Sequence, residues 1–119
     1  MLVSVIIPNY NYSLYIEAAI NSLVNQAHKN LELIIVDDGS TDESLNFIKS
    51  LKKVYQKRFK RFKIRYFEKN REKIAAINEA VPLISGEFIT ILDADDFSIK
   101  ITSLILLYCW DSGTESSNK

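Results

Sequence analysis

The chain has 119 residues, 47% of them apolar, enough for one packed domain and too few to suggest two. Fifteen Lys and Arg balance fifteen Asp and Glu, and no nucleic-acid partner is expected. A single cysteine, Cys109, excludes an internal disulfide and a cysteine-based zinc site, and it is read as a core filler.

Residues 3–7, Val-Ser-Val-Ile-Ile, read as a first buried strand, and residues 8–12, Pro-Asn-Tyr-Asn-Tyr, as the loop that follows. Ser13 is a candidate cap for a helix carrying Leu14, Ala18, Leu23 and Val24 and ending near Gln26. Leu31 to Val36 read as the second strand. Thr41 or Asp42 caps a second helix, in which Leu45, Ile48, Leu51, Lys52 and Tyr55 recur at three and four residues. The basic run 57–63 closes that helix, and residues 64–67 form a short third strand. Lys73 to Leu83 read as a third helix with Pro82 near its end, and Glu87 to Leu92 as a fourth strand. A further apolar helix is expected from residue 99 to 108, and residues 111–119 are polar enough to read as a disordered tail. The domain is therefore expected over residues 1–110. The alternation of strands and helices implies an α/β fold, a three-layer α/β/α sandwich on a mostly parallel, Rossmann-like sheet.

Two of the strands end in acids. Residues 33–36 run into Asp37-Asp38-Gly39-Ser40, and residues 88–92 run into Asp93-Ala94-Asp95-Asp96. Ligands of open α/β sheets bind at the carboxyl ends of the strands. Five carboxylates converging there repel one another unless a cation or hydrogen-bond donors sit among them. A metal with a polyhydroxyl or nucleotide ligand is the first expectation. Charge is also uneven elsewhere, since twelve of the fifteen Lys and Arg lie between Lys49 and Lys73. That stretch carries apolar periodicity, so it reads as a solvated face, with anionic lipid or nucleic acid as the sharper alternative. His28 lies in a polar turn and reads as a surface residue. No basic leader precedes the first strand, and no apolar run reaches the about 20 residues of a membrane span. A cytoplasmic setting is expected, extending to the inner face of the membrane.

Four stretches in order carry a resemblance: 3–11, 33–42, 70–78 and 86–96. Together they resemble family 2 glycosyltransferases, in the nucleotide-sugar-binding half of a GT-A fold. The resemblance implies a nucleoside-diphosphate sugar as partner, a UDP-sugar in the first place, and Mn²⁺ or Mg²⁺ as cofactor. It places Pro8, Tyr10, Asn11, Asp38, Lys73 and Asp93 at the nucleotide sugar, and Asp95 with Asp93 at the metal. Tyr10 would stack on the base and Asp38 would accept an N–H of a uracil-like ring. Asp93 favours the ribose, while Asp96 assists or caps the next helix. Asp37 is read as turned inward to fix its loop, or as joining Asp42 in capping. Hard oxygen donors suit either cation, which would bridge the two phosphates. Lys73, at the start of a helix, would meet a phosphate or the base.

The chain departs from the family at Glu72, where a glycine usually follows Asn70 by two positions. It also contains no recognisable acid for the general base of an inverting transfer, so no residue is assigned as catalytic. A donor half without an acceptor half is expected, with self-association, a partner protein or a membrane surface covering residues 99–110. The reading from another class is a non-catalytic nucleotide-sugar-binding module or partner-dependent subunit. A receiver-like phosphoacceptor domain is disfavoured, because its acidic pair belongs after the first strand, where Pro8-Asn9-Tyr10 stands.

Overall fold

The computed structural model describes residues 1–92. Its elements are β1 (Val3–Asn9), α1 (Ile16–Val24), β2 (Leu31–Asp38), α2 (Ser44–Tyr55), β3 (Arg61–Phe67), α3 (Lys73–Ala80) and β4 (Phe88–Ile91). Short 3₁₀ turns follow α2 (Gln56–Arg58) and α3 (Val81–Leu83). The strands form one four-stranded sheet in the order β3-β2-β1-β4, parallel throughout.

Both central strands are buried over their whole length, because helices cover both faces of the sheet. Side chains alternate between the two layers. Val3, Val5, Ile7, Leu31, Leu33 and Ile35 pack with Ile16, Ile20 and Leu23 of α1 and Ile48 and Leu51 of α2. Ile6, Ile34 and Val36 pack on the other side against Ala76 and Ala80 of α3. The expected α/β/α sandwich and parallel sheet are present. The chain steps outward from β1 to β3 and then returns to β4 on the far side of β1, which creates a switch point between β1 and β4.

Several boundaries and one helical phase differ from the sequence reading. In α1 the buried stripe is Ile16, Ala19, Ile20 and Leu23, while Leu14 is 86% exposed and precedes the helix. That set has the i, i+3, i+4, i+7 spacing of a core face, and it takes precedence over the stripe drawn through Leu14 and Ala18. Ser13 does not cap α1, whose start has no side-chain cap; the Ser13 amide instead donates to Asp42 Oδ2 at 3.3 Å. The cap position of α2 is Glu43, with no side-chain cap bond, rather than Thr41 or Asp42; Asp42, one residue earlier, accepts the Ser44 amide at 2.8 Å. The basic run 57–63 is divided between the 3₁₀ turn and β3, which begins three residues earlier than expected. The reason is Phe62, buried between the layers, which registers opposite Leu33. His28 is half-buried and its Nε2 lies 3.0 Å from the Met1 carbonyl oxygen. The expected helix at 99–108, Cys109 and the tail 111–119 lie outside the described residues.

Two charged side chains hold the amino-terminal edge of the sheet. Arg58 turns inward and donates to five carbonyls: Nε to Val24 at 2.8 Å, Nη1 to Lys29 at 3.1 Å, and Nη2 to Leu23, Gln26 and His28 at 3.2, 3.3 and 2.9 Å. These include terminal carbonyls of α1, which have no partner within the helix. Glu32, fully buried, accepts the Ser4 hydroxyl at 2.6 Å, the Ser85 amide at 2.8 Å and the Ser85 hydroxyl at 2.9 Å. Lys63 Nζ stands 3.4 Å from Glu32 Oε2 and donates to the Leu83 carbonyl at 2.8 Å. The Ser4 hydroxyl in turn accepts the Gly86 amide at 2.9 Å, so this network fixes the entry to β4. A Cβ at Gly86 would overlap the Ser4 side chain and the Leu2 carbonyl.

Arg58→Lys should lower stability by about 2 kcal/mol in urea unfolding. An ammonium cannot reach the spread of carbonyls that a guanidinium fork spans, and charged-group hydrogen bonds carry about that much each. For Glu32, burial raises the carboxyl pKa, but the bonds from Ser4 and Ser85 and the charge of Lys63 outweigh it and hold the group below its ordinary value. Its contribution is then fully present above the unfolded-state value of about 4.3 and is lost as pH falls through the folded-state value. Unfolding free energy should therefore decline on acidification below about pH 4.3, and Glu32→Gln should flatten that decline while costing about 1–3 kcal/mol at neutral pH.

Candidate functional site

A cleft of about 290 Å³ opens at the carboxyl edge of the sheet, lined by Pro8, Asn9, Tyr10, Tyr12, Asp38, Asn70, Glu72 and Lys73. It sits where the loops after β1, β2 and β3 meet. Pro8, Tyr10, Asp38 and Lys73, four of the residues singled out by sequence, face this one space. Tyr10 is 39% exposed, so its ring is available at the mouth.

The two acids at the end of β2 have different tasks. Asp37 is 1% exposed and is tied into the fold. Its Oδ1 accepts the Asn9 side-chain amide at 2.8 Å and the Ser40 hydroxyl at 2.6 Å, and its Oδ2 accepts the Ser40 amide at 3.0 Å. Asp37 thus turns inward and fixes the loop, as one of the two sequence readings had it. Asp38 faces the cleft, and the loop after β3 docks on it. Arg71 donates its amide to Oδ1 at 2.6 Å, and Asn70 Nδ2 donates to Oδ2 at 3.0 Å and to the Asp38 carbonyl at 3.2 Å. A carboxylate has about four acceptor positions, so Asp38 keeps capacity for a ligand donor.

Asn11 is placed elsewhere. It has a positive φ of 57°, and its side-chain oxygen accepts the Thr41 amide at 2.8 Å and the Asp42 amide at 3.2 Å. Its own amide hydrogen goes to Ser40 Oγ at 3.0 Å. Its side chain splices the loop after β1 to the loop after β2, and it is not among the residues lining the cleft. Gly39, at φ 70°, permits the close approach of the next loop, since a Cβ there would overlap the Lys69 and Asn70 backbone.

Asn9, Tyr12, Asn70 and Glu72 also line the cleft and were not assigned to it from sequence. Asn70 stands within a recognised motif, and the Asn9-Tyr10 loop pointed to its neighbours. Glu72 is the informative one. Its backbone has φ 78° and ψ 159°, a region populated almost only by glycine. The position where a glycine was expected thus keeps a glycine-like conformation with a glutamate in it. Among the described residues no group of three His, Cys, Asp or Glu could hold a metal ion. Asp93, Asp95 and Asp96 lie outside the described residues. Leu92, the last described residue, donates its amide to the Ile6 carbonyl of β1 at 2.9 Å.

Glu72→Gly should raise stability by about 1 kcal/mol, the strain at such a residue being about 1–3 kcal/mol less the entropy glycine loses on folding. Glu72→Ala, which removes the carboxylate and keeps the Cβ, should bring no such gain. Thermal unfolding of the two variants side by side checks this.

The profile of the family described as Glycosyl transferase family 2 matches residues 4–107. A relative described as an uncharacterised glycosyltransferase of Nostoc sp. (strain PCC 7120) is 42% identical over 96 residues, covering 81% of this chain and 29% of that protein. The mannosyltransferase PcManGT of Pyrobaculum calidifontis, solved with GDP-Man and Mn²⁺, superposes with a TM-score of 0.73 at 28% identity, over 78% of this chain and 27% of that one. S. aureus TarS 1–349, solved in complex with UDP, does so with a TM-score of 0.69 at 34% identity, over 80% and 28%. This chain therefore spans less than a third of the length of these three proteins. With the profile covering most of its length and its parallel α/β fold superposing on GT-A glycosyltransferases, the chain belongs to glycosyl transferase family 2.

Proposed function

We propose that this chain is the donor-binding part of a family 2 glycosyltransferase and takes a nucleoside-diphosphate sugar, a UDP-sugar by preference, together with Mn²⁺ or Mg²⁺. The observation that carries this reading is the cleft at the switch point, where an exposed tyrosine, a buried carboxylate and a lysine at a helix start share one space. Those are the three kinds of group that a base, its polar edge and a diphosphate call for. Support comes from two structural neighbours, one solved with UDP and one with GDP-Man and Mn²⁺.

In this reading Tyr10 stacks on the base and Asp38 accepts a base N–H at its remaining acceptor positions. Asn70 and Arg71, already hydrogen-bonded to Asp38, keep that carboxylate oriented before the ligand arrives. Pro8 forms part of the cleft wall beside the base, and Asn11 holds the loop that carries Tyr10. Lys73, the first residue of α3, faces the diphosphate, where the positive end of the helix dipole adds to its charge. Asp93 is assigned to the ribose and Asp95, with Asp93, to the metal. Their oxygens are the hard donors that either cation prefers. When bound, the cation offsets negative charge on the departing nucleoside diphosphate. Transfer with inversion to an acceptor hydroxyl belongs to the whole enzyme, whose general base is not among the residues assigned here.

UDP titrated by calorimetry should bind more tightly with Mn²⁺ than with EDTA, and Asp95→Ala should remove that difference. Asp38→Ala should weaken UDP by about 1–3 kcal/mol, the range for a lost hydrogen bond to a charged group. Tyr10→Ala should cost about 1 kcal/mol. Equal UDP affinity with and without metal sinks the metal assignment; UDP affinity unchanged by both the Asp38 and Tyr10 variants sinks the base site.

A further inference from the structure

The longest stretch of this chain without a carboxylate wraps the β3 edge of the sheet, with α2 and Tyr66 on one face and Arg61 and Arg65 on the other. From Ser44 to Phe67, through α2, the 3₁₀ turn and β3, there is no Asp or Glu and there are nine Lys or Arg. Two of the nine are engaged inward, Arg58 on its carbonyls and Lys63 on Glu32 and Leu83. Lys49, Lys53, Lys57, Lys60, Arg61 and Arg65 are exposed. Two large apolar side chains stand out among them, Val54 at 69% and Tyr66 at 55% exposure. Lys49 Nζ lies 5.4 Å from the centre of the Tyr66 ring, so α2 and β3 present a joined surface.

We propose that this band is a docking surface for an anionic lipid bilayer. Its charge is of one sign over 24 residues, which suits a surface of phosphate headgroups. Its two protruding apolar groups are an aliphatic side chain and a tyrosine, and tyrosine favours the headgroup level, where its ring is buried and its hydroxyl stays wet. Among the described residues β3 is the outermost strand of the sheet on its side, and lysine and arginine along such an edge repel a second copy of the same strand. A single-stranded nucleic acid would call for successive aromatic platforms between the cations, and the band exposes one aromatic among its large apolar side chains.

The test is co-sedimentation of the 119-residue chain with phosphatidylcholine vesicles, with and without phosphatidylglycerol as a major component. Binding is expected only with phosphatidylglycerol, falling more than tenfold between about 0.1 M and about 0.5 M salt. The triple variant Lys53→Glu, Lys57→Glu and Arg61→Glu should lose about a hundredfold or more, each cation near such a surface contributing about fivefold, at an unchanged melting temperature. Should that variant fail to fold, Lys53→Gln with Lys57→Gln is the milder form, with a loss of about twenty-five-fold expected. Tyr66→Ser with Val54→Ser should reduce the binding that persists at high salt. The proposal is overturned by absence of binding to phosphatidylglycerol vesicles, by equal binding to both vesicle types, or by folded charge variants that bind like the parent. Tighter binding to a homopolymeric RNA than to the vesicles at the same salt overturns it as well.

Discussion

The carboxylate of Asp37 is the point on which the active edge of this domain depends. It is buried at the end of β2 and receives three hydrogen bonds, from the Asn9 side chain and from the amide and hydroxyl of Ser40. A buried charge persists only when its acceptor positions are filled, so these three groups are held in place as firmly as the acid itself. Asn9 belongs to β1 and Ser40 to the loop after β2. The acid therefore sets the position of the loop that carries Tyr10 relative to the end of β2, where Asp38 stands. Asn11 repeats the connection further out, through Ser40, Thr41 and Asp42. Gly39 then lets the loop after β3 come close enough for Asn70 and Arg71 to reach Asp38. Three loops from three strands are locked together in sequence, and the cleft is the space they leave.

The opposite edge uses the same physics for a different end. Arg58 collects the carbonyls where α1 gives way to the connection into β2, and Glu32 collects donors from β1 and from the turn before β4. Neither charge is near the cleft. Each replaces backbone hydrogen bonds that a chain end or turn cannot make for itself. Because β4 is the short fourth strand and pairs only with β1 among the described residues, its entry needs such a fixing point.

Glu72 shows a tension between the two requirements. The loop after β3 must turn sharply into α3 to bring Asn70 and Lys73 to the cleft, and the turn demands a backbone conformation suited to glycine. This chain keeps the turn and carries the strain. It also places a carboxylate at the wall of the space proposed for a diphosphate. The bonds from Asn70 and Arg71 to Asp38 are what hold the loop in that conformation.

The layer architecture was legible in the order of the residues. β1 and β2 are apolar on both faces because parallel strands under two helical layers have no wet side, and that run of residues is legible without coordinates. The acids at the strand ends and the loop tyrosine were legible for a related reason, since a polar burst after a buried strand can only lie at the sheet edge. Tertiary structure alone decided how those residues divide the work. Asp37 and Asp38 are chemically identical neighbours, and which one turned inward depended on Asn9 and Ser40, 28 residues away and three residues away in the chain. The phase of α1 escaped the reading because Leu14 and Ile16 are equally apolar, and only packing against the sheet selects one. Arg58 and Lys63 read as members of a solvated basic run, yet each turned inward to oxygen atoms at least 20 residues away along the chain. Patterns of period two and 3.6 record which face is buried; they carry no record of which distant polar atom a buried charge will meet.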